Sequence, residues 1–162
     1  MLPTSATILS AVHACLSADA FVRTALGTPP RLYDHPPEDA LHPYVAYGAF
    51  RLEDVSGDAA PLATATLNIH VHSRYQGRAE AMSLVATLLA ALERDRLRPH
   101  LPGVASVVSR YSDSFVSRDG HARHSILRLS ITVESDPDTA PAAILMAEAG
   151  PGLEIVAQEL AA

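Results

Sequence analysis

Hydrophobic and polar positions alternate strictly between residues 64 and 72, which is a clear strand pattern in the first half of the chain. Leu67, Ile69 and Val71 fall on one face of the predicted strand, and the polar residues between them fall on the other. A period of two is typical of a half-buried antiparallel strand. We therefore expect one face of this strand to pack in a core and the other to contact solvent.

A strongly apolar helix is predicted directly downstream, over residues 79–96. Its apolar residues recur at helical spacing and form a wide stripe, which comprises Met82, Leu84, Val85, Leu88, Leu89 and Leu92. Glu80 lies in the first turn, where the helix dipole favours an acidic side chain. We expect this long helix to lie across one face of the sheet.

The remaining pattern completes a predicted α+β fold, with a mainly antiparallel sheet and N-terminal helices beside the long helix. The N-terminal helices are expected over residues 5–16 and then, capped by Ser17 or Asp19, as far as Gly27. Further strands are predicted over residues 31–34, 44–52 and 126–134, and another begins near residue 104. Gly48 leaves room for a bulge in the second of these strands. The last strand is expected to follow a turn at residues 119–120.

The composition changes after Glu134 and predicts two parts of the chain. Residues 1–134 are expected to form the α+β domain, because a chain of 162 residues is long enough to bury one sizeable core. Residues 135–162 are expected to form an appendage of short helices. Leu153, Ile155 and Val156 are too apolar for a solvated linker. We take them as a candidate subunit interface, with docking on their own domain as the alternative.

The charge balance argues against a general nucleic-acid binder. The chain has 12 basic residues, all of them arginine, and 18 acidic residues, which gives a formal net charge of −6. Tight DNA binding requires basic groups that neutralise phosphates. We therefore expect no specific DNA binding.

The single cysteine and the N-terminus bear on the compartment of the protein. Cys15 has no partner for an intramolecular disulfide and is expected to be an ordinary buried thiol. The N-terminal sequence supports neither a signal peptide nor a transmembrane span. We expect assembly in the cytoplasm and no membrane contact.

Histidines provide the best argument for chemistry in this sequence. His70 and His72 share the polar face of one predicted strand, and His121 and His124 lie just before the last strand. Four imidazoles brought together would suit a transition metal. No carboxylate or thiol in the neighbouring sequence completes a familiar ligand pattern, so we expect no metal and no cofactor. A metal enzyme with histidine ligands stays the minor alternative.

Other signatures of catalysis are incomplete. The Ser-Asp-Ser sequence at 112–114 and His121 have the residue types of a hydrolase triad, but no Gly-x-Ser-x-Gly elbow accompanies them. The glycine patterns of P-loop and Rossmann nucleotide sites do not occur in the sequence. We therefore expect no catalytic residues and a protein that is not an enzyme.

Four short pieces of sequence occur in a distinctive order and spacing. They are Leu16-Ser17-Ala18-Asp19, then Arg31-Leu32-Tyr33-Asp34-His35-Pro36-Pro37 with His42-Pro43-Tyr44-Val45, then the strand and helix over residues 67–92, and finally Asp119-Gly120 with the strand that ends at Glu134. In this order they resemble the tail-terminator, or tail-completion, family of long-tailed bacteriophages and related gene transfer agents. The resemblance extends over residues 8–134.

The resemblance implies a structural protein of the virion and not an enzyme. It implies a ring, usually of six subunits, that caps the head-proximal end of the tail tube, ends tube polymerisation and helps to join tail to head. The implied partners are further copies of the chain, the tail-tube protein and a head-side connector or stopper. Assembly would take place in the host cytoplasm. Another head-tail neck component, a stopper or an adaptor, is the alternative.

Contact residues are predicted from loops and charges, because the family resemblance supplies no contact motif. Asp54 and Asp58 lie in the loop of a predicted long hairpin, and Arg110, Arg118 and Arg123 lie along the segment that leads into the last strand. Arginine can pair with carboxylates of a partner. We take these five residues as candidate contacts with the tube or the connector, with simple solvation of the arginines as the alternative.

Overall fold

A computed structural model describes residues 1–58 and 60–135, which form one sheet with a layer of helices against it. The helices of this part are α1 (Ser5–Ala18), α2 (Ala20–Leu26), α3 (Ala79–Ala91) and α4 (Arg94–Leu97). Its strands are β1 (Leu32–Tyr33), β2 (Tyr44–Asp54), β3 (Leu62–Ser73), β4 (Val104–Val116) and β5 (Arg123–Glu134). The predicted α+β class is confirmed.

The strands follow the order β1-β2-β3-β5-β4 across the sheet. All neighbours are antiparallel except at one edge, where the short strand β1 pairs in parallel with β2. The β3–β5 pair at the centre keeps one register along all 12 residues of β3. Within it, Arg128 lies opposite Asn68, and Arg128 Nε donates a 2.9 Å hydrogen bond to Asn68 Oδ1. A shift of one residue would turn Arg128 into the core, so the alternation fixes the register.

The core lies between the helices and one face of the sheet. Residues of β3 alternate between buried and partly exposed along the whole strand, as predicted. The largest fully buried side chains come from both layers and are Ile8, Leu16, Leu26, Leu67, Ile69, Leu88, Leu92, Leu97, Leu101, Leu127, Leu129 and Ile131. None of the helices in the described residues covers the other face of the sheet, which we call the open face.

The helix α2 begins at a capping residue that the sequence predicts. Asp19 Oδ1 accepts hydrogen bonds from the amides of Phe21 and Val22, at 2.8 and 3.0 Å. Gly27 ends the helix with a φ of 92°, a conformation that side chains disfavour. Arg96 Nη1 also donates to Asp19 Oδ2 at 3.0 Å, which ties α4 to the same cap.

The N-terminal helices contribute to this core. No single helix in the described part is long and apolar enough to cross a membrane, and α1 and α2 meet that test only as a pair bent by 80°. Cys15 on α1 is buried, as predicted. Its Sγ donates a hydrogen bond to the carbonyl oxygen of Ala91 at 3.2 Å, and burial raises the pKa of the thiol.

The predicted long helix over residues 79–96 is wrong at its C-terminal end, because α3 stops at Ala91 and α4 begins at Arg94. Between them Glu93 is extended, with φ of −53° and ψ of 145°. Leu88 and Leu97 are both fully buried. Nine residues of a continuous helix would set these two side chains roughly 180° apart. The break allows both leucines to reach the same core.

The strand β2 contains the predicted bulge at Gly48. Its register with β3 shifts between Tyr47 and Phe50. A Cβ atom at Gly48 would lie 2.3 Å from His70 Nε2. The backbone of β2 therefore accommodates the ring of His70 only because this residue has no side chain.

Replacing Gly103 by alanine is expected to lower the free energy of unfolding by about 2–3 kcal/mol. Gly103 has a φ of 83°, and a Cβ atom there would lie 2.4 Å from the backbone oxygen of Glu134. The same two residues are joined by a backbone hydrogen bond of 2.8 Å from the Glu134 amide, so the strand cannot simply move away. Urea unfolding measures the change.

The matched control is Gly57→Ala, because a Cβ atom at Gly57 has no neighbour within 4 Å. Its free energy of unfolding should change by less than about 0.5 kcal/mol. Equal effects of the two substitutions would contradict the argument from close approach and positive φ at Gly103.

Candidate functional site

Four aromatic side chains form a row across the open face, one from each of four neighbouring strands. We call Tyr44, His72, His124 and Phe115 the aromatic row. The register places Tyr44 opposite His72, His72 opposite His124, and His124 opposite Phe115. Their ring centroids lie 4.6, 4.4 and 4.8 Å apart, and the first two pairs are stacked. The row thus connects β2, β3, β5 and β4 at one end of the sheet.

Two more imidazoles extend this row. His70 Nδ1 and His124 Nε2 are hydrogen-bonded at 2.8 Å, and His42 packs edge-on against Tyr44 with 5.0 Å between ring centroids. A hydrogen bond between two imidazole nitrogens requires one of them to accept, so at least one of the two rings must be neutral. We call His70, His72 and His124 the imidazole cluster.

Burial lowers the pKa of every member of the imidazole cluster. Desolvation has the largest effect on His72, and the neighbouring imidazoles of His124, His70 and His42 add to it, which lowers its pKa to about 4. Desolvation also lowers the pKa of His70, and desolvation followed by the charge of His70 lowers that of His124. In the described residues none of these rings forms a salt bridge. The cluster is therefore neutral at pH 7.

The structure brings together three of the four histidines that the sequence singles out. His121 lies apart from them in the turn between β4 and β5, where its amide donates to Asp119 Oδ1 at 3.1 Å. Across residues 1–58 and 60–135, no group of three or more His, Cys, Asp or Glu residues is arranged to hold a metal ion. That the protein is free of metal stays a prediction, which metal analysis of the purified protein can check.

The residues of the candidate hydrolase triad are not joined in the described part of the chain. Asp113 accepts hydrogen bonds from the Tyr111 hydroxyl at 3.0 Å and from the Ser114 amide at 2.7 Å. His121 is engaged through its backbone in the neighbouring turn. These contacts are local turn and strand contacts, and they do not order a nucleophile against a base.

The predicted contact residues lie at opposite ends of the sheet. Asp54 ends β2 and Asp58 follows in the loop to β3, whereas Arg118 and Arg123 lie at the far end, in the turn before β5 and at its start. Arg110 lies between these ends, where the register of β4 with β5 shifts. Both aspartates, Arg110 and Arg118 are exposed, and Arg123 is partly buried.

At each end of the sheet, hydrogen bonds hold the described loop residues. At the first, the amide and the hydroxyl of Ser56 both donate to Asp54 Oδ1, and these hydrogen bonds lower the pKa of Asp54. At the other, the Ser117 hydroxyl donates to Asp119, and Gly120 adopts a φ of 73°. The predicted turn at residues 119–120 is confirmed. These hydrogen bonds give the carboxylates of Asp54 and Asp119 defined positions.

The aromatic row was only partly predictable from the sequence. The alternation in β3 places His70 and His72 on one face, and this prediction is confirmed. Tyr44 and Phe115 were missed as members, because membership depends on which residues of other strands lie opposite His72 and His124. Finding them requires the register of β2 and β4 against their neighbours. Bulges in both strands make that register difficult to predict from the sequence.

The prediction for Leu153, Ile155 and Val156 lies outside the described residues. Exposed apolar side chains in the described part include Val108 and Tyr111 on the open face of β4, at 40% and 48% exposure, and Phe21 at 72% on α2. A sheet with one face that no described helix covers, together with exposed apolar residues and charged loops at both ends, is suited to assembly with other proteins.

Comparison with known families places the chain among such assembly proteins. A family model described as tail completion protein gp17 matches residues 10–134, so the chain belongs to this family. The fold is similar to that of a chain in a solved structure described as "Virion of native gene transfer agent (GTA) particle". That similarity has a TM-score of 0.64 and 22% identity, over 78% of this chain and 93% of that chain. No curated protein matches the sequence.

Family membership defines the general role of the protein. It is a structural protein of the virion, and its location is the virion tail. The resemblance found in the sequence is thereby confirmed. The range that the family model matches, residues 10–134, contains β1 to β5, the five strands of the described sheet.

Stability is expected to fall as the pH drops from 7 to 5, by about 1–2 kcal/mol. The unfolded chain binds protons at the ordinary histidine pKa near 6.5, whereas His72 in the folded protein binds one only near 4. The stabilisation is therefore complete above about pH 6.5 and is lost as the pH falls towards the folded pKa. Urea unfolding at several pH values measures it.

The variant His72→Phe should flatten this pH dependence, because phenylalanine keeps a ring in the row and cannot be protonated. His100→Gln is the matched control, since His100 is exposed and lies outside the row. It should retain the pH dependence of the wild type. A free energy of unfolding in the wild type that is constant between pH 7 and 5 would contradict the prediction.

Proposed function

We propose that this protein is the tail terminator of its particle, a ring of six subunits that caps the head-proximal end of the tail tube. The observation that carries the proposal is the family match over residues 10–134. A cap of this kind ends polymerisation because one of its faces reproduces the mating surface of the tube and the other does not. No bond chemistry is required, so the protein acts without catalytic residues or a cofactor.

The geometry of the sheet supports a cap with two different faces. The central strand β3 has 12 residues, which corresponds to roughly 35–40 Å at about 3.3 Å per residue. One end of the sheet carries the acidic pair Asp54 and Asp58, and the other carries Arg118 and Arg123. Two charged ends of opposite sign, held apart by rigid strands, can bind two partners of different charge.

We assign these two ends to the two axial partners, the tube protein and the head-side connector or stopper. Arg118 and Arg123 would meet acidic groups of one partner, and Asp54 and Asp58 would meet basic groups of the other. Arg110 lies along the edge strand β4, between the two ends. It is therefore suited to a contact along the side of the subunit.

A ring also requires contacts between neighbouring copies. A head-to-tail contact joins two different surfaces of the same subunit, and it closes into a ring when the rotation between copies is suitable. We propose that Leu153, Ile155 and Val156 contribute to this contact. In such a ring, weak contacts gain strength from multivalency when the subunits assemble on the tube. DNA would pass through the opening without specific binding.

Removing the gene is expected to give tails of irregular or excessive length that fail to join heads. Without the cap, the mating surface of the tube stays available and tube protein continues to add to it. Electron microscopy of the particles measures the tail lengths and the fraction of joined heads. Complementation with the intact gene is the control.

Two outcomes of this experiment would count against a terminator. Tails of normal length attached to filled heads would refute the proposal. Tails of normal length that lack heads would support the alternative role, a stopper or adaptor at the neck, because attachment would then be lost without loss of length control.

The double variant Arg118→Ala with Arg123→Ala is expected to reduce the yield of joined particles about tenfold or more, because a weakened contact is repeated in every subunit of the ring. Circular dichroism at pH 7 establishes that the variant is folded. The matched control is Arg98→Ala, since Arg98 is exposed beside α4 and belongs to neither end set. Normal yield from a folded double variant would exclude these arginines as contacts.

Deletion of all residues after Asp138 is expected to weaken ring assembly while the domain stays folded. The deletion removes the proposed apolar subunit contact and leaves every described strand in place. Native mass spectrometry of the ring and thermal unfolding of the domain provide the two measurements. A ring that assembles unchanged after the deletion would show that the segment does not dock between subunits.

A further inference from the structure

The end of the β4–β5 hairpin has little support from the helical layer. Residues 108–113 of β4 are exposed on both faces of the sheet, and Phe115 and Val116 are 39% and 47% exposed. The pairing of β5 with β3 and the aromatic row connect this end to the rest of the sheet. In the row, Phe115 packs on His124, and His124 packs on His72. The side-chain part of this attachment therefore depends on two imidazoles.

We propose that the imidazole cluster is a proton-operated latch for the β4–β5 hairpin. Neutral rings hold the hairpin end, residues 111–126, against β3 and β2. Protonated rings loosen it while the centre of the sheet stays intact. This device concerns the single subunit and does not depend on the proposed role as a terminator.

The first argument for the latch is the hydrogen bond between His70 and His124. Their nitrogens lie 2.8 Å apart. When both rings are protonated, both nitrogens carry hydrogen and neither can accept, so the bond is lost and two like charges face each other. His72 stacks on His124 at 4.4 Å and would add a third charge. Protonation thus converts the two attractive contacts among these rings into repulsion at the base of the hairpin.

The second argument is that, among the described residues, no neighbouring element places a negatively charged group in contact with these rings. From the side of β2 the cluster meets the Tyr44 phenol, and beyond it lie His42 and Arg74, which add positive charge. From β4 it meets the uncharged ring of Phe115. These contacts supply no negative charge to the protonated rings.

The charged groups farther along are engaged elsewhere. Glu80 accepts a hydrogen bond from the Ser73 hydroxyl, Asp113 accepts one from Tyr111, and Arg128 donates to Asn68. In the described residues no carboxylate forms a salt bridge with the cluster. Acidification therefore charges this end of the sheet without a carboxylate in contact with the cluster.

The third argument is the position of the charged contact residues. Arg118 lies in the turn of the hairpin, and Arg123 lies next to His124. A hairpin that loosens on protonation carries both arginines with it. The protonation of the imidazole cluster thus determines whether Arg118 and Arg123 are held in place at this end of the sheet.

Hydrogen exchange measured by mass spectrometry between pH 7.5 and 4 tests the latch. Protection factors, corrected for the intrinsic effect of pH on exchange, are compared for peptides within residues 111–126 and for peptides of α1 and α3. Global destabilisation at low pH lowers protection everywhere, so we expect hairpin protection in the wild type to fall below pH 6 by at least tenfold more than the protection of the helices. An equal loss of protection throughout the domain would overturn the proposal, and so would no loss in the hairpin.

Variants separate the cluster from general effects of acid. His72→Phe combined with His124→Phe keeps rings in the row and should abolish the fall in hairpin protection. His100→Gln should behave as the wild type. If the double variant is not folded at pH 7, His72→Phe alone provides the comparison and should show a smaller fall. A folded variant that loses hairpin protection as the wild type does would overturn the latch.

Discussion

The uninterrupted register between β3 and β5 is the constraint on which the rest of the structure depends. Leu67 lies opposite Leu129 on the packed face, and Asn68 lies opposite Arg128 on the open face. Because successive side chains of a strand point to opposite faces, this one pairing decides which residues enter the core and which remain outside. The helices pack on the apolar face that results, and the aromatic row forms on the other.

The elements that the sequence predicts best are those whose pattern is local. Alternation in β3 and β5, the cap at Asp19 and the turn at Gly120 depend on a few neighbouring residues, and each is found in the structure. The long helix was wrong only at its C-terminal end, because an apolar stripe does not reveal a break in a helix. Leu97 is buried because the helix breaks at Glu93. This break depends on how the whole core packs, which the local sequence does not show.

The candidate site shows the same division between local and long-range information. Alternation alone places His70 and His72 on one face, but it does not predict that Tyr44 and Phe115 complete a row with them. That row depends on four strands in register, two of which contain bulges. Likewise, the order of the chain does not reveal that the acidic loop and the arginine-bearing turn lie at opposite ends. This arrangement follows from antiparallel pairing through β3 and β5.

The separation of the two charged ends has a consequence for how such a protein can diversify. Changes at sites that share no contacts have nearly independent effects on stability, and surface loops tolerate insertions better than strands do. The loop after β2 and the turn after β4 lie at opposite ends of the same sheet. Lineages can therefore alter one loop to follow a changing partner while the other loop, and its partner, stay as they were.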